Sequence, residues 1–423
     1  MKLELSRLAQ GTRLGVLSGL GRLQEHSLEV PGCLLYTRCG SVPHLTHDTL
    51  NTLDHLPAVT QLPLATIAEH QEILEAFKEG AATFAGLHHT ILFCSLHDPA
   101  APCPMGYNTN KTVSLWSSGG RLELTVSKYM AMQAAVRPDW YQSLADGETQ
   151  QGSTSRKRVH KSVDRSLAYL DECLLLHQKT PELAGTELFG VVEGADVREE
   201  RVRSARETAK RPVGGFILDG FQSGTMDQEL RGQLISAVTA ELPQDKPRLL
   251  QGVGQPDEVL ACVEAGVDLF EGFFPFLVTD RGCALCFKYS IDPDPESAVQ
   301  EQNGVAEDDC IRNDSQESQE QMTCFEMNLN EKRYQDDFRP LVADCGCYCC
   351  QNHNRAYLHH LLVTKELLAG VLLMLHNVTH YNNFFSNIRK ALATNQLQAL
   401  KSRVLGGVRT GKGSLLSGEK ERV

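Results

Sequence analysis

Three cysteines and a later histidine are the residues of this sequence whose types and spacing most clearly suit metal chemistry. Cys345, Cys347 and Cys350 form a C-x-C-x2-C pattern, and His376 directly follows the apolar stretch ELLAGVLLML. Three thiolates and one imidazole make a closed tetrahedral zinc site, the structural type that keeps no open position. The spacing predicts that a tight turn presents the three cysteines and that a distant helix returns the histidine.

The fourth ligand has competitors in the sequence. His353, His359 and His360 lie nearer to the cysteines than His376, and His353 alone would give a local C-x2-H pattern with Cys350. We expect Cys349 to be a spare residue, because adjacent cysteines seldom both point at one metal. A cluster of buried, reduced thiols without metal is the alternative interpretation.

The elements that must position these residues follow from apolar periodicity between about residues 30 and 275. The predicted strands are Cys33–Tyr36, Thr90–Cys94, Trp140–Leu144, Leu188–Glu193, Gly215–Leu218, Arg248–Val253 and Val267–Phe270. The predicted helices are Ser127–Ala135, Ser162–His177, Val197–Lys210, Met226–Thr239 and Pro256–Ala265. Such alternation is typical of α/β proteins with a parallel sheet, and the number of units favours a (β/α)8 barrel over an open sheet.

Composition divides the chain into four predicted segments. Residues 1–289 form the barrel body, and residues 290–322, rich in Asp, Glu, Gln, Ser and Asn, form a disordered acidic insertion. Residues 323–400 form a zinc-binding helical segment that completes the barrel, and residues 401–423 form a flexible basic tail. The sequence shows no secretory signal and no apolar run long enough to span a bilayer. We therefore expect a cytoplasmic protein with reduced cysteines.

The charge balance limits the classes of partner. Forty-one basic and 53 acidic residues give a formal net charge of −12, which excludes a uniformly basic nucleic-acid binder. A local basic face is still compatible with this balance, because much of the acidity lies in residues 290–322. One candidate for such a face is the run Arg156, Lys157, Arg158, Lys161 and Arg165. A solvated helix face is the first interpretation of this run, and contact with RNA phosphates is the alternative.

Several ordered motifs together resemble one family, the tRNA-guanine transglycosylases. The C-x-C-x2-C pattern with its later histidine is similar to the zinc signature of that family. Four further segments resemble its strands and helices: ELTVSKYMAMQ (123–133), LFGVVEGADVREERVRSARE (188–207), VGGFILDGF (213–221) and LQGVGQPDEVLACVEAGVDLFEGFFP (250–275). The resemblance implies an irregular (β/α)8 TIM barrel with a late zinc-binding segment and one structural zinc ion per chain.

The sequence departs from the family at the active-site positions. The resemblance places Glu271 where the family has its nucleophilic aspartate, and Cys94 where it has a second aspartate that acts as general acid and base. Glu193 stands where a glutamine recognises the base, while Asp146 retains a base-contacting aspartate. A carboxylate moved by one methylene is misplaced by more than about 1 Å, which can cost about 100-fold in rate, and a thiol cannot replace a carboxyl group as acid and base. These degenerate positions predict a chain without catalytic residues.

The predicted function follows from a retained barrel and metal signature beside a lost catalytic pair. The resemblance implies a non-catalytic subunit of the heterodimeric queuine tRNA-ribosyltransferase, which exchanges guanine for queuine at the anticodon wobble position. Its implied partners are the catalytic chain, tRNA and, in a homodimer, a second copy. The resemblance also implies peripheral association with the cytoplasmic side of the mitochondrial outer membrane. Two alternatives are an active base-exchange enzyme that uses Glu271 and a stand-alone, zinc-containing RNA-binding scaffold.

Overall fold

The structure is a computed structural model that describes residues 1–9, 11–21, 26–87, 90–149, 152, 154–224, 226–291 and 323–409. The chain divides into two compact units, Met1–Leu277 and Val278–Val423. Apart from its first two residues, the predicted acidic insertion 290–322 lies outside the described residues, as do residues 410–423 of the predicted tail.

The first unit begins with an antiparallel sheet of three strands, β1 (Lys2–Ala9), β2 (Thr12–Leu20) and β3 (His26–Val30). Apolar and polar residues alternate along these strands, which gives the sheet one apolar face. Leu3, Leu17 and Leu28 on that face are buried in one cluster with apolar side chains of the following strands. The sheet therefore covers one end of the apolar interior of this unit. This sheet was not among the predicted elements.

A parallel barrel follows the antiparallel sheet. Its strands, together with a β8–β9 hairpin outside it, are β4 (Gly32–Cys33), β5 (Leu35–Tyr36), β6 (Val59–Pro63), β7 (Ile91–Ser95), β8 (Val113–Ser117), β9 (Gly120–Leu124), β10 (Trp140–Gln142), β11 (Glu187–Val192), β12 (Gly215–Leu218), β13 (Arg248–Leu250) and β14 (Leu269–Phe270). Strand β4 pairs with β14, and β5 pairs with β6, so the broken first strand closes the ring. The predicted (β/α)8 barrel is confirmed.

Helices connect the strands of the barrel. They are α1 (His47–Leu50), α2 (Leu64–Ile67), α3 (Gln71–Phe77), α4 (Gly80–Phe84), α5 (Val126–Val136), α6 (Arg156–Lys179), α7 (Arg198–Ala209), α8 (Gln228–Thr239), α9 (Pro256–Glu264) and α10 (Phe274–Asp280). Helix α6 begins earlier than predicted because the Ser155 side chain accepts a hydrogen bond from the Arg158 N–H and caps the helix. Strand β6 was not predicted, because its polar residues Thr60 and Gln61 and its terminal Pro63 obscure the strand pattern.

The second unit contains an antiparallel pair of strands and a group of helices. These elements are β15 (Cys283–Leu285), β16 (Glu326–Asn328), α11 (Tyr348–Asn352), α12 (Arg355–Val363), α13 (Leu367–Ala393) and α14 (Leu397–Arg409). Leu358, Leu372 and Leu373 lie in the apolar core of this unit. Residues 401–409, which we predicted as the start of a flexible tail, belong to helix α14. Among the helices that the structure describes, none combines the length and apolarity needed to cross a membrane.

Candidate metal centre and barrel mouth

The four predicted metal ligands lie together in the second unit, and we call them the metal cluster. Cys347 caps the N-terminus of α11, Cys350 lies within that helix, and His376 lies in the first half of α13. The Nδ1 atom of His376 lies 3.8, 3.5 and 3.4 Å from the Sγ atoms of Cys345, Cys347 and Cys350. All four ligand atoms lie within 4.8 Å of one another.

This geometry fits a tetrahedral zinc ion. Zn–S bonds of about 2.3 Å and Zn–N bonds of about 2.0 Å place the ligand atoms of a tetrahedron about 3.5–3.8 Å apart. The three distances from His376 Nδ1 fall between 3.4 and 3.8 Å. Three soft thiolates and an imidazole are also the donor set that zinc favours in closed, structural sites.

The outer nitrogen of His376 determines which ring atom is free for a metal. Its Nε2–H donates to the backbone oxygen of Leu285 over 2.8 Å, and the ring is fully buried. A hydrogen bond of this kind fixes the tautomer of a ligating histidine and leaves the other nitrogen as the electron-pair donor. The hydrogen bond between His376 and Leu285 thus orients Nδ1 toward the three thiols.

The competing candidates for the fourth ligand lie elsewhere. The ring of His353 stacks on Tyr357, with centroids 5.2 Å apart, and His359 Nδ1 bonds to the Leu329 carbonyl over 2.8 Å. Neither these two histidines nor His360 belongs to the metal-ligating group found among the described residues. Cys349 is buried in the core of the unit, and this burial raises the pKa of its thiol well above the ordinary value.

Three of the remaining predicted site residues, Asp146, Glu193 and Glu271, follow the carboxyl ends of barrel strands, a region that we call the barrel mouth. Glu271 directly follows β14, and its carboxylate is buried. Its Oε1 accepts a hydrogen bond from Gln61 Nε2 over 2.6 Å, and its Oε2 accepts one from the Gly252 N–H over 2.8 Å. Burial raises the pKa of Glu271 to about 7 even though these two donors act in the opposite direction.

Cys94 does not meet Glu271 at the barrel mouth. Its Sγ lies 3.4 Å from Nε2 of Gln133 on helix α5, whereas Phe93, its neighbour on β7, points into the barrel core. Because side chains alternate along a strand, Ser95 shares the inward side with Phe93. Gln61 Nε2 donates to Ser95 Oγ over 3.0 Å, so Ser95 rather than Cys94 lies in the Glu271 network.

Asp146 is enclosed by its own chain. Arg158 donates to both carboxylate oxygens, with NH2 2.7 Å from Oδ1 and NH1 2.8 Å from Oδ2. Arg165 NH1 donates to Oδ2 over 2.9 Å, and Asn108 Nδ2 donates to Oδ1 over 3.0 Å. The guanidinium groups of Arg158 and Arg165 therefore form internal ion pairs with Asp146. This finding agrees with neither interpretation of these two arginines, a solvated helix face or a contact with RNA phosphates.

Glu193 follows β11 and is fully buried beside another carboxyl group. Neither of its carboxylate oxygens accepts a hydrogen bond from a donor group in the described part of the chain. Burial, and next to it the nearby charge of Asp219, raise the pKa of Glu193 well above its ordinary value. Arg201 supplies the nearest positive charge, and its guanidinium donates to the backbone oxygens of Val192 and Ala195.

Comparison with known proteins agrees with this combination of barrel and metal cluster. The family described as queuine tRNA-ribosyltransferase matches residues 9–409. The chain belongs to this family. A zebrafish (Danio rerio) relative named "Queuine tRNA-ribosyltransferase accessory subunit 2" is 66% identical, over 96% of this chain and 99% of its own length. Relatives of the same name from Gallus gallus and Homo sapiens are 60% and 55% identical, over 94% and 96% of this chain and 95% and 99% of their own lengths.

Three residues at the barrel mouth of this queuine tRNA-ribosyltransferase family member were missed by sequence reasoning. Asp219 directly follows β12, and a carboxylate at the carboxyl end of a barrel strand is itself a signal for a site residue. Gln61 was missed because strand β6 was missed. Ser95 was missed because the resemblance assigns the site position to the preceding residue, Cys94.

Proposed function

We propose that this chain is the accessory, non-catalytic subunit of a queuine tRNA-ribosyltransferase. The observation that carries the proposal is its similarity over almost the full length to proteins named accessory subunit 2. In this role the chain pairs with a catalytic chain of the same family and supports exchange of guanine for queuine at the wobble position of tRNA. The complex is a heterodimer in this proposal.

The barrel mouth supports a role without chemistry. Base exchange through a covalent intermediate needs a nucleophile and a separate acid and base. Here the side chains that share a network with Glu271 are an amide and a hydroxyl, Gln61 and Ser95, and neither is a carboxyl group. Glu271 itself lies in a buried site where half of its population is protonated near pH 7.

The metal cluster supports zinc as the bound ion. A closed set of four protein ligands leaves no position for water or substrate, so the ion would be structural. Cys345, Cys347 and Cys350 would bind through Sγ, and His376 through Nδ1. The ion would hold helix α13 against the cysteine-bearing turn and helix α11.

The proposed function is tested by an exchange assay on each chain separately and on the mixture. Full-length protein is co-expressed with a family chain that carries both catalytic aspartates, and labelled guanine or queuine incorporation into tRNA is measured. We expect no exchange by this chain alone and exchange by the co-purified pair. Exchange by this chain alone that disappears in Glu271→Ala would show an active enzyme. Recovery on RNA without any catalytic chain would instead favour the stand-alone scaffold.

We also propose that the protein acts in the cytoplasm and associates peripherally with the mitochondrial outer membrane. The support for this location is the family resemblance alone. Cell fractionation tests it, because a peripheral protein should leave washed mitochondria in alkaline carbonate and should be digested by protease added outside them. Recovery in the carbonate-resistant pellet, or protection from that protease, would contradict the proposal.

A further inference from the structure

Strand β15 has one hydrogen-bonding edge that no strand covers in the described part of the chain. It pairs with β16 in a two-stranded antiparallel sheet, and on that side the neighbouring Cys286 N–H donates to the Phe325 carbonyl over 3.0 Å. Backbone groups alternate between the two edges along a strand, so the groups of Cys283 and Leu285 point away from β16. Both residues are fully buried, and these groups therefore need partners from elsewhere.

Two adjacent side chains of helix α13 supply these partners. Asn377 Oδ1 accepts from the Leu285 N–H over 2.8 Å, and Asn377 Nδ2 donates to the Cys283 carbonyl over 3.1 Å. His376 Nε2–H donates to the Leu285 carbonyl over 2.8 Å. The helix thus bonds to the strand edge through side chains, as a third strand would through its backbone.

The Leu285 peptide connects Asn377 to the metal cluster. Its carbonyl oxygen holds the metal ligand His376, while its N–H is held by Asn377. Asn377 is fully buried, and its Nδ2 also donates to Thr279 Oγ1 over 2.9 Å, which fixes the amide in the orientation that its other bonds require. The hydrogen bond that orients His376 therefore comes from a backbone segment that Asn377 holds in place.

Loss of the Asn377 amide would leave two buried polar groups of β15 without partners. Such groups are costly to leave unpaired, so the strand edge would shift to recover hydrogen bonds. A shift of the Leu285 oxygen would turn the imidazole ring that it holds, and His376 Nδ1 would no longer point at the three thiols. Outer-shell partners that orient metal ligands typically contribute about 10–100-fold to metal affinity.

We propose that Asn377 is a positioning residue for the metal cluster. It acts through the Leu285 peptide rather than as a ligand, and it raises metal affinity by holding the strand edge that orients His376. This inference rests on the metal ion of the proposed function, and it adds a residue outside the ligand set on which binding of that ion depends.

The test measures the dissociation constant of Zn²⁺ from the full-length chain by competition with a chromogenic chelator. Asn377→Leu keeps the approximate size of the side chain but removes its hydrogen bonds. We expect this variant to bind Zn²⁺ at least about tenfold more weakly than the original chain. The absorption bands of bound Co²⁺, which report the geometry of the ligands, should shift as well. Thr279→Val removes only the hydroxyl that accepts from Asn377 Nδ2, so it should weaken binding by a smaller factor, and it carries the test if Asn377→Leu does not fold.

Asn387→Leu is the matched control. Asn387 is a buried amide on the same helix, and its Nδ2 donates to the backbone oxygen of Asn383 rather than to β15. The control variant should lose stability without a change in the Co²⁺ bands, and it should weaken Zn²⁺ binding less than Asn377→Leu does.

Two results would overturn the inference alone. The first is an equal loss of Zn²⁺ affinity in Asn377→Leu and Asn387→Leu with unchanged Co²⁺ bands, which would show a general loss of stability. The second is Zn²⁺ binding by the Asn377 and Thr279 variants as tight as binding by the original chain. Failure of the original chain itself to bind Zn²⁺ would contradict the proposed structural ion and the inference with it. These measurements use this chain without a partner, so they are independent of the exchange assay that tests the accessory role.

Discussion

The metal cluster and the barrel mouth satisfy their polar groups in opposite ways. In the metal cluster, three thiols and His376 Nδ1 face one another, and none of them is a strong donor for the others. At the barrel mouth, Asp146 accepts four hydrogen bonds and Glu271 accepts two, all from side chains or backbone of the same unit. The first arrangement is one that a bound ion would stabilise, whereas the carboxylates of Asp146 and Glu271 already accept hydrogen bonds from the chain itself.

The difference between the metal cluster and the barrel mouth indicates which of the two regions would depend on a bound ligand. Converging ligand atoms without internal donors repel one another when deprotonated, so they imply an ion that compensates the charge. A carboxylate saturated by arginine and amide donors implies the reverse, because binding would require the loss of existing charge-assisted bonds. Under our proposal, such a chain would bind a structural metal ion while the carboxylate of Asp146 is satisfied by side chains of the same unit.

The largest expected effect comes from removing one ligand of the metal cluster. We expect Cys347→Ala to lose about one metal ion per chain and to lower the free energy of unfolding by at least about 5 kcal/mol. Structural zinc contributes roughly 10–16 kcal/mol of apparent binding energy in small domains, which is the physical reason for this magnitude. Elemental analysis and denaturant unfolding measure the two effects.

A neighbouring cysteine provides the control for this prediction. Cys349 lies in the same turn region but outside the metal-ligating group of the described residues. Cys349→Ala should keep the metal and lose only the packing of one small buried side chain. Equal metal loss in the two variants would show that the four-ligand assignment is wrong.

The metal cluster was predictable from sequence, whereas the contacts that enclose Asp146 were not. The ligand set follows from the donor chemistry of cysteine and histidine and from the short spacing of the three cysteines. Neither depends on how the rest of the chain folds. The pairing of Arg158 with Asp146 depends on how the start of α6 turns back over the loop after β10. The position of the Cys94 side chain was also not predictable, because a shift of one residue along β7 moves a side chain to the opposite face of the sheet.

The next largest effect should come from breaking the internal ion pair of the barrel mouth. We expect Asp146→Ala to lower the free energy of unfolding by about 3–5 kcal/mol, because it leaves Arg158 and Arg165 without their buried counter-charge. Urea unfolding at pH 7 measures this change. Asp164→Ala on helix α6 is the control, since it breaks an exposed pair with Arg203 that should contribute no more than about 1 kcal/mol.

An equal loss of unfolding free energy in Asp146→Ala and Asp164→Ala would contradict our interpretation of the barrel mouth. In that case the ion pairs of Asp146 with Arg158 and Arg165 would contribute no more to stability than an exposed pair. A larger cost for Asp146→Ala combined with retained metal would instead separate the two regions energetically.

The smallest predicted effect concerns Glu271 and is a dependence on pH. Its pKa rises from 4.5 to about 7 on folding, so between these values the native chain binds more protons than the unfolded chain. Stability should therefore fall as pH rises through this window, by no more than about 3 kcal/mol from this group. In Glu271→Gln, which cannot ionise, this contribution is absent. The variant should gain stability relative to the original chain between pH 5 and pH 8.

Denaturant unfolding of both chains across this range measures the relative change, since the groups that they share cancel in the difference. Glu79→Gln removes an exposed carboxylate and should leave the difference flat. A flat profile for Glu271→Gln as well would mean that the donors Gln61 and Gly252 fully offset burial. Glu271 would then be a charged carboxylate throughout this range, and the barrel mouth would hold its charge by hydrogen bonds alone. A falling profile shows instead that protonation, together with these donors, satisfies the buried group without a ligand.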